Sequence, residues 1–233
     1  MSAVGRRTIT ALTLVACFLF LALGSWQIQR RSWKLQLIAR VDQRVHAPPV
    51  GAPGPTEWAR LTAAAAEYRH VAVAGHWLNE ASTSVQALTV LGGGYWMLTP
   101  LRIADGSIVL VNRGFVAAAP ARTVRAGADS REVVALTGLM RMSEPVGGFL
   151  RRNDPAADRW YSRDVSAIAK ARGLTRVAPY FIDADRVPSD DARAPIGGLT
   201  VIAFSNDHLI YAVTWYTLAL LSLCGAAYGR FRP

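Results

Sequence analysis

The chain has 233 residues, of which 52% are apolar, and its 26 Lys and Arg against 16 Asp and Glu give a net charge of +10. This composition excludes disorder as the dominant state, and the length allows one domain or two small ones. No charged residue lies between Arg7 and Arg30 or between His208 and Arg230, which leaves uncharged runs of 22 and 21 residues. As a helix, each run can cross about 30 Å of hydrocarbon at about 1.5 Å per residue. A freely soluble protein is therefore not expected.

The first run, Thr8 to Gln29, has three interpretations. It could be a spanning helix, a signal peptide cleaved after the small residues near Gly24, or a lipoprotein signal ending at Cys17. The lipoprotein interpretation fits less well, because the run stays apolar for several residues beyond Cys17. Trp26, followed by Arg30, is typical of the interfacial belt that ends a span, so we favour an uncleaved helix.

The second run, Leu209 to Gly229, begins with the aromatic residues Tyr211 and Trp215. Gly225 and Gly229 form a GxxxG pair, a spacing that allows another helix to approach closely. This run is predicted to be a second transmembrane helix.

The charges that flank the two runs predict the orientation of the chain. Arg6 and Arg7 precede the first run and Arg230 and Arg232 follow the second, which places both termini in the cytoplasm. Arg30, Arg31 and Lys34 argue the other way, but long loops cross membranes largely regardless of charge. The predicted order is a cytoplasmic terminus (1–7), transmembrane helix 1 (8–29), a periplasmic domain (30–207), transmembrane helix 2 (208–229) and a cytoplasmic terminus (230–233).

The segment 30–207 carries all 16 acids and 22 of the 26 bases, a net charge of +6. Its bases are scattered singly, without the basic runs and interleaved aromatics of a nucleic-acid site, so anionic lipid is the simpler partner. Both cysteines, Cys17 and Cys224, lie in the apolar runs. The segment therefore cannot contain a disulfide, a thiolate metal site or a nucleophilic cysteine.

Predicted elements follow in chain order. A helical stripe at 33–45 extends the first span, prolines break the chain at 48–55, and 58–67 is predicted to be a short helix. A strand follows at 69–77, and the strand at 84–90 could pair with it. The segments 95–103 and 107–116 form the clearest hairpin, around Asp105-Gly106. Further predicted elements are a strand at 132–142, a helix from Asp164 to Arg172, and strands at 177–183 and 198–204. The fold class is thus α+β: two terminal transmembrane helices flank a mainly antiparallel, barrel-like or open-sheet domain with one or two short helices.

No strong catalytic motif is present, so the chain is not expected to be an enzyme. Gly92-Gly93-Gly94 lacks the Lys-Ser or Lys-Thr of a phosphate loop and is predicted to be a turn. The histidine spacing in the domain fits no zinc pattern.

His208 stands at the start of the second apolar run, and Tyr211 and Trp215 share its helical face. A neutral imidazole above an apolar, aromatic wall can be an axial haem ligand, with Arg30 or Arg31 placed to meet the propionates. The alternative is that His208 only marks the start of the helix.

Several motifs resemble one known family. The segment SNDHLIYAVTWY at 205–216 resembles the signature of the Surfeit locus protein 1 family, membrane-bound cytochrome c oxidase assembly factors. Further matches in the expected order are LGSWQIQR at 23–30, TPL at 99–101, VNRGFV at 111–116, and NDP with WYSRD within 153–164. Phe115 departs from the tryptophan of many relatives.

The resemblance implies a bacterial inner-membrane protein that helps to mature the haem a-containing subunit of an oxidase, with oxidase subunit I and haem A synthase as partners. It also implies haem a as cofactor and His208 as the iron ligand. A cofactor-free scaffold for subunit I or the synthase is the alternative.

Overall fold

The computed structural model describes residues 3–117, 132–145, 151–188, 194–200 and 206–231. Its contacts divide the chain into two units, one of residues 1–42 with 202–233 and one of residues 43–201. The α-helices are α1 (Ala3–Val45), α2 (Ala63–Ala66), α3 (Val165–Ala171) and α4 (His208–Phe231). The strands are β1 (Val50–Gly51), β2 (His70–Trp77), β3 (Thr83–Thr89), β4 (Gly92–Ile103), β5 (Ile108–Ala117), β6 (Val134–Met142) and β7 (Val177–Ala184).

The first unit consists of α1 up to Asp42 and of α4. The predicted extension of the first helix is confirmed, since α1 runs without a break for 43 residues to Val45. By length and composition, both helices could cross a membrane. Large apolar side chains stand exposed along them, with Phe18 72% and Leu221 61% exposed. Water is a poor solvent for such a surface.

The second unit is built on a closed barrel of five strands, in the order β2-β6-β7-β5-β4, with β4 pairing back to β2. β1 and β3 extend the sheet from β2 and β4. Among the described strands, β1–β2 and β5–β7 pair in parallel and the other pairs are antiparallel. The prediction of a mainly antiparallel β domain is confirmed, and the barrel is the form that it takes.

The barrel closes at Gly75 in β2. This glycine pairs with Val134 of β6 on one side and with Ile103 of β4 on the other. A Cβ at this position would lie 2.3 Å from the carbonyl oxygen of Arg102. Only a residue without a side chain lets the two strands approach this closely, which fits the use of glycine where a sheet bends to close.

Strands β5 and β7 are buried on both faces. Val109, Val111 and Ile182 belong to the apolar cluster that also contains Trp77 and Met140. The intervening residues, Leu110 and Phe181, pack in a second cluster with Trp160 and Ile168 of the segment that contains α3. Alternate residues of a strand point to opposite faces, so α3 covers one face of the parallel pair.

The local predictions have mixed outcomes. The β4–β5 hairpin is confirmed, and so is α3, whose Asp164 side chain accepts a hydrogen bond from the Ala167 amide at 3.0 Å. The helix predicted at 58–67 is instead a 3-10 turn (Trp58–Arg60) followed by α2. The pairing of the strand at 84–90 with the preceding strand is wrong, because β3 pairs with β4.

The predicted strand at 198–204 is only partly described. Residues 198–200 are not in a strand, and 201–205 lie outside the described residues. The neighbouring Ile196 forms an isolated antiparallel bridge with Phe115 of β5.

Candidate functional site at the helix pair

α1 and α4 pack along a seam in which residues recur at alternating spacings of three and four, the pattern of ridges-into-grooves helix packing. On α4 the seam contains Ala212 and Ala219, which are 1% and 3% exposed, and on α1 it contains Cys17, which is 8% exposed. Gln27 contacts His208, whereas the earlier Phe20 contacts the later Trp215, so the two helices run antiparallel.

The helices approach each other closely at Gly24. A Cβ there would lie 2.8 Å from Cε1 of Tyr216. The Tyr216 hydroxyl lies 3.2 Å from the Ser25 hydroxyl oxygen. The tyrosine ring therefore lies over the α1 backbone at a point where a larger residue would displace it.

His208 is the first residue of α4 and is half-buried. Its Nδ1 lies 2.8 Å from Oε1 of Gln27, one of the few side-chain hydrogen bonds that join the two helices in the described residues. An amide oxygen can only accept, so Nδ1 carries the proton, and in the neutral form of the ring Nε2 then has the lone pair. A neutral imidazole with one nitrogen held by a hydrogen bond and the other available is the form in which histidine binds metal ions.

The aromatic residues predicted beside His208 take different positions. Trp215 is half-buried and stacks on Phe20, with ring centroids 5.7 Å apart and an interplanar angle of 24°. Tyr211 is 56% exposed. Trp215 thus belongs to the seam and lies between Ala212 and Ala219, about one helical turn from each. Tyr211 faces outward.

Arg30 and Arg31 lie three and four residues beyond Gln27, about one helical turn along α1. The guanidinium of exposed Arg30 lies over the Trp33 ring, 4.2 Å from its centroid. In the described residues, no hydrogen bond or ring contact is seen between these arginines and His208, Tyr211 or Trp215. Their predicted role toward propionates stays a prediction.

Asn206, two residues before His208, has a buried side-chain oxygen, Oδ1, without a hydrogen-bond partner among the described residues. A buried acceptor without a donor costs about 1–3 kcal/mol. At the start of α4, Asn206 Oδ1 can therefore accept a hydrogen bond from a group outside the described residues.

The barrel has a second polar cluster, centred on Asp183, whose side chain is 5% exposed. Asp183 accepts hydrogen bonds from Asn112 at 2.8 Å, from Thr200 at 2.9 Å, and from Arg163 and Arg141 at 3.1 and 3.2 Å. These bonds use both carboxylate oxygens, and the cluster ties β5, β6 and β7 to two neighbouring segments.

Two further acids complete this cluster. Burial opposes the ionisation of Glu144, but the hydrogen bonds and charge of Arg163, with the charge of Arg141, outweigh it and hold the pKa of Glu144 below its ordinary value. Burial likewise opposes the charge of Arg141, but Asp183 and Glu67 raise its pKa above the ordinary value. Both shifts favour the charged forms of Glu144 and Arg141 in the folded protein.

No group of three or more His, Cys, Asp or Glu side chains in the described part of the chain is arranged to hold a metal ion. A metal that binds through a single histidine, with its remaining ligands supplied by a macrocycle, does not need such a group.

Gln27 was not singled out from the sequence. It lies in an apolar run where an amide is uncommon, and this is the signal that could have identified it. Its partner is 181 residues away in the chain, which no local pattern reveals.

Comparison with known proteins identifies the family. The model of the SURF1 family matches residues 14–220. Surfeit locus protein 1 of Rattus norvegicus is 36% identical over 217 residues, covering 84% of this chain and 67% of the rat protein. The protein of the same name from Homo sapiens is 36% identical over 219 residues, covering 84% and 69%. A SURF1-like protein of Monosiga brevicollis is 34% identical over 215 residues, covering 86% and 79%. The expected resemblance is confirmed, and the chain belongs to the SURF1 family.

Proposed function

We propose that the protein is a membrane-anchored assembly factor for cytochrome c oxidase that binds haem a and delivers it to oxidase subunit I beside haem A synthase. It acts by holding and handing over the cofactor, without turnover. α1 and α4 span the bacterial inner membrane with both termini in the cytoplasm, and the domain lies in the periplasm. Membership of the SURF1 family supports the assembly role, and the length and exposed apolar surface of both helices support the anchoring.

The observation that carries haem binding is the His208–Gln27 pair. It presents one neutral ring nitrogen at the start of an apolar helix pair, with the proton held on the other nitrogen. The surroundings fit a macrocycle, because Trp215 and Phe20 form an aromatic wall. Bound haem would supply an iron for the imidazole to coordinate and two propionate charges.

Each residue has a defined part in this proposal. His208 binds the iron through Nε2, Tyr211 and Trp215 line the macrocycle, and Arg30 and Arg31 hold the propionates. An arginine pairs well with a carboxylate because its fork can make two parallel hydrogen bonds. Arg30 is exposed and Arg31 is half-buried. Because exposed ion pairs contribute little, Arg31 is expected to contribute more to propionate binding.

The test is co-expression with the haem A pathway and purification in mild detergent, with the haem A content per chain measured from the absorbance spectrum. His208→Ala is expected to abolish the bound pigment. His76→Ala is the matched control, since His76 is an exposed histidine of β2. A pigment spectrum unchanged by His208→Ala would remove His208 as the ligand.

A cofactor-free scaffold is the second candidate, and one observation favours it. Gly225 on α4 has no heavy atom within 4 Å of the place where a Cβ would stand, so this face of the helix is open to another helix. In that case wild type carries no haem A under the same conditions. Gly225→Leu would then reduce the amount of subunit I or haem A synthase that co-purifies, whereas the exposed Leu221→Ala would not.

A further inference from the structure

Gln27 is the group on α1 that faces His208. It is half-buried and its Oε1 lies 2.8 Å from Nδ1 of the histidine, while its neighbour Gln29 is exposed. A half-buried amide near the end of an apolar run costs free energy unless it finds a partner. The pair satisfies the amide oxygen and, at the same time, constrains the imidazole.

The constraint has two parts. A neutral imidazole has one N–H donor and one acceptor nitrogen, and the nitrogen that bears the proton is set by the hydrogen bond that it makes. Because the Gln27 oxygen only accepts, the proton is fixed on Nδ1. The ring is also fixed in rotation, since its Nδ1–H must point along the hydrogen bond to α1.

We infer that Gln27 is a positioning residue, which holds His208 in the Nδ1–H tautomer so that Nε2 is the nitrogen that coordinates iron. The consequence for iron rests on the proposed function, whereas the tautomer does not. Histidines that bind metals commonly donate their second N–H to an oxygen in this manner, and removing that oxygen costs about 10–100-fold in metal affinity.

An amide oxygen has a physical advantage over a carboxylate here. A charge between apolar helices is costly, and a carboxylate would pull the Nδ1 proton toward itself and make the ring a stronger electron donor. Stronger donation stabilises the oxidised iron. The acceptor at position 27 is therefore expected to set the reduction potential of the bound haem.

The first experiment uses the haem-free full-length chain in detergent, labelled with ¹⁵N-histidine. Ring-nitrogen chemical shifts report the tautomer, and His208→Ala identifies the His208 signals. Wild type is expected to show Nδ1–H. Gln27→Leu is expected to shift most of the population to Nε2–H, while Gln27→Glu, which keeps an acceptor, retains Nδ1–H. Gln29→Leu is the matched control and leaves the signals unchanged.

The second experiment measures the haem-loaded chain. Gln27→Leu is expected to weaken haem A retention about 10–100-fold. Gln27→Glu is expected to retain haem and to give the lowest reduction potential of the series, with wild type between it and Gln27→Leu. A purely structural role for Gln27 would move the melting temperature of the chain without ordering the potentials in this way.

The outcomes separate the two proposals. Wild-type His208 in the Nε2–H form, or a tautomer indifferent to Gln27→Leu, would overturn the positioning role even if haem binds. The expected tautomer shift in a chain that never binds haem would confirm the positioning of the ring and refute the haem-binding function.

Discussion

At the scale of single residues, the largest energetic effects are expected in the barrel, where buried charges neutralise one another. Asp183 connects side chains from β5, β6 and two neighbouring segments, with both guanidinium partners at most 14% exposed. Removing one partner of a buried ion pair costs more than the pair contributes to stability, because the remaining charges lose their compensation.

Asp183→Asn is therefore expected to lower the free energy of unfolding by about 3–5 kcal/mol. The amide nitrogen of the introduced asparagine would face Arg141 or Thr200. Both of these side chains are donors, so that hydrogen bond is lost. Urea unfolding of the full chain in detergent measures the effect. Arg159→Ala is the control, since Arg159 pairs with Asp154 at the surface, where such a pair contributes little. Equal effects of the two substitutions would contradict the buried role of Asp183.

His70 gives the domain a dependence on pH. Its Nδ1 lies 2.9 Å from the Ala47 carbonyl oxygen and its Nε2 lies 2.8 Å from Asp185, so both ring nitrogens face acceptors. Burial opposes protonation, but these hydrogen bonds and the charge of Asp185 outweigh it and raise the pKa of His70 above 6.5.

The folded state therefore binds the His70 proton more tightly than the unfolded state does. The stabilisation is complete below the unfolded value of 6.5 and is lost as pH rises through the higher folded value. Urea midpoints of wild type should fall across that window, and those of His70→Ala should fall less. A wild-type midpoint that rises across the window would show that the sign is wrong.

At the scale of elements, the helix pair is held by small residues that allow close packing and by a few polar contacts. Gly24 lies tightly against Tyr216, whereas Gly225 lies in open space in the described structure. The two glycines therefore make different predictions, although both lie in apolar helices.

Gly24→Leu is expected to destabilise the helix pair by about 1–3 kcal/mol, the usual cost of overpacking, because the added side chain must displace the Tyr216 ring. Thermal unfolding in detergent, followed by the fluorescence of Trp215 against a Trp215→Phe reference, measures the change. Gly225→Leu is the matched substitution and is expected to leave the transition in place. An equal shift of the unfolding transition in Gly24→Leu and Gly225→Leu would contradict the close contact between Gly24 and Tyr216.

At the scale of the whole molecule, the sidedness of the domain is the central expectation. In the proposed topology, trypsin added to spheroplasts cleaves the domain at exposed bases such as Arg186. In inverted vesicles the same sites are protected, and a tag fused to the N-terminus is removed. Digestion of the domain only in inverted vesicles would refute the topology.

Much of this architecture could be predicted from the sequence, because its signals are local. The uncharged runs predicted α1 and α4, Asp105-Gly106 predicted the β4–β5 hairpin, and Asp164 predicted the start of α3. The start of α4 at His208 was recognisable from the start of an apolar run. These features depend on residues within one or two turns of each other.

The remaining features depend on pairs that are distant in the chain. β3 was assigned to β2 because the two are neighbours in sequence, but β4 pairs with both of them and separates them in the sheet. Asn112 and Asp183 are 71 residues apart, and Gln27 and His208 are 181 apart. Spacing and periodicity contain no information about such contacts, so neither the buried cluster nor the pairing of Gln27 with His208 could be found in advance.

The place of β7 in the barrel has a consequence for biogenesis. β7 is the last strand of the barrel to leave the ribosome, yet it lies between β5 and β6, which are both synthesised earlier. Until residue 184 is available, these two strands have unsatisfied backbone edges, and exposed edges recruit other chains into aggregates. A nonsense or frameshift mutation between residues 143 and 176 is thus expected to give an insoluble product that is degraded, and not a partly active anchor.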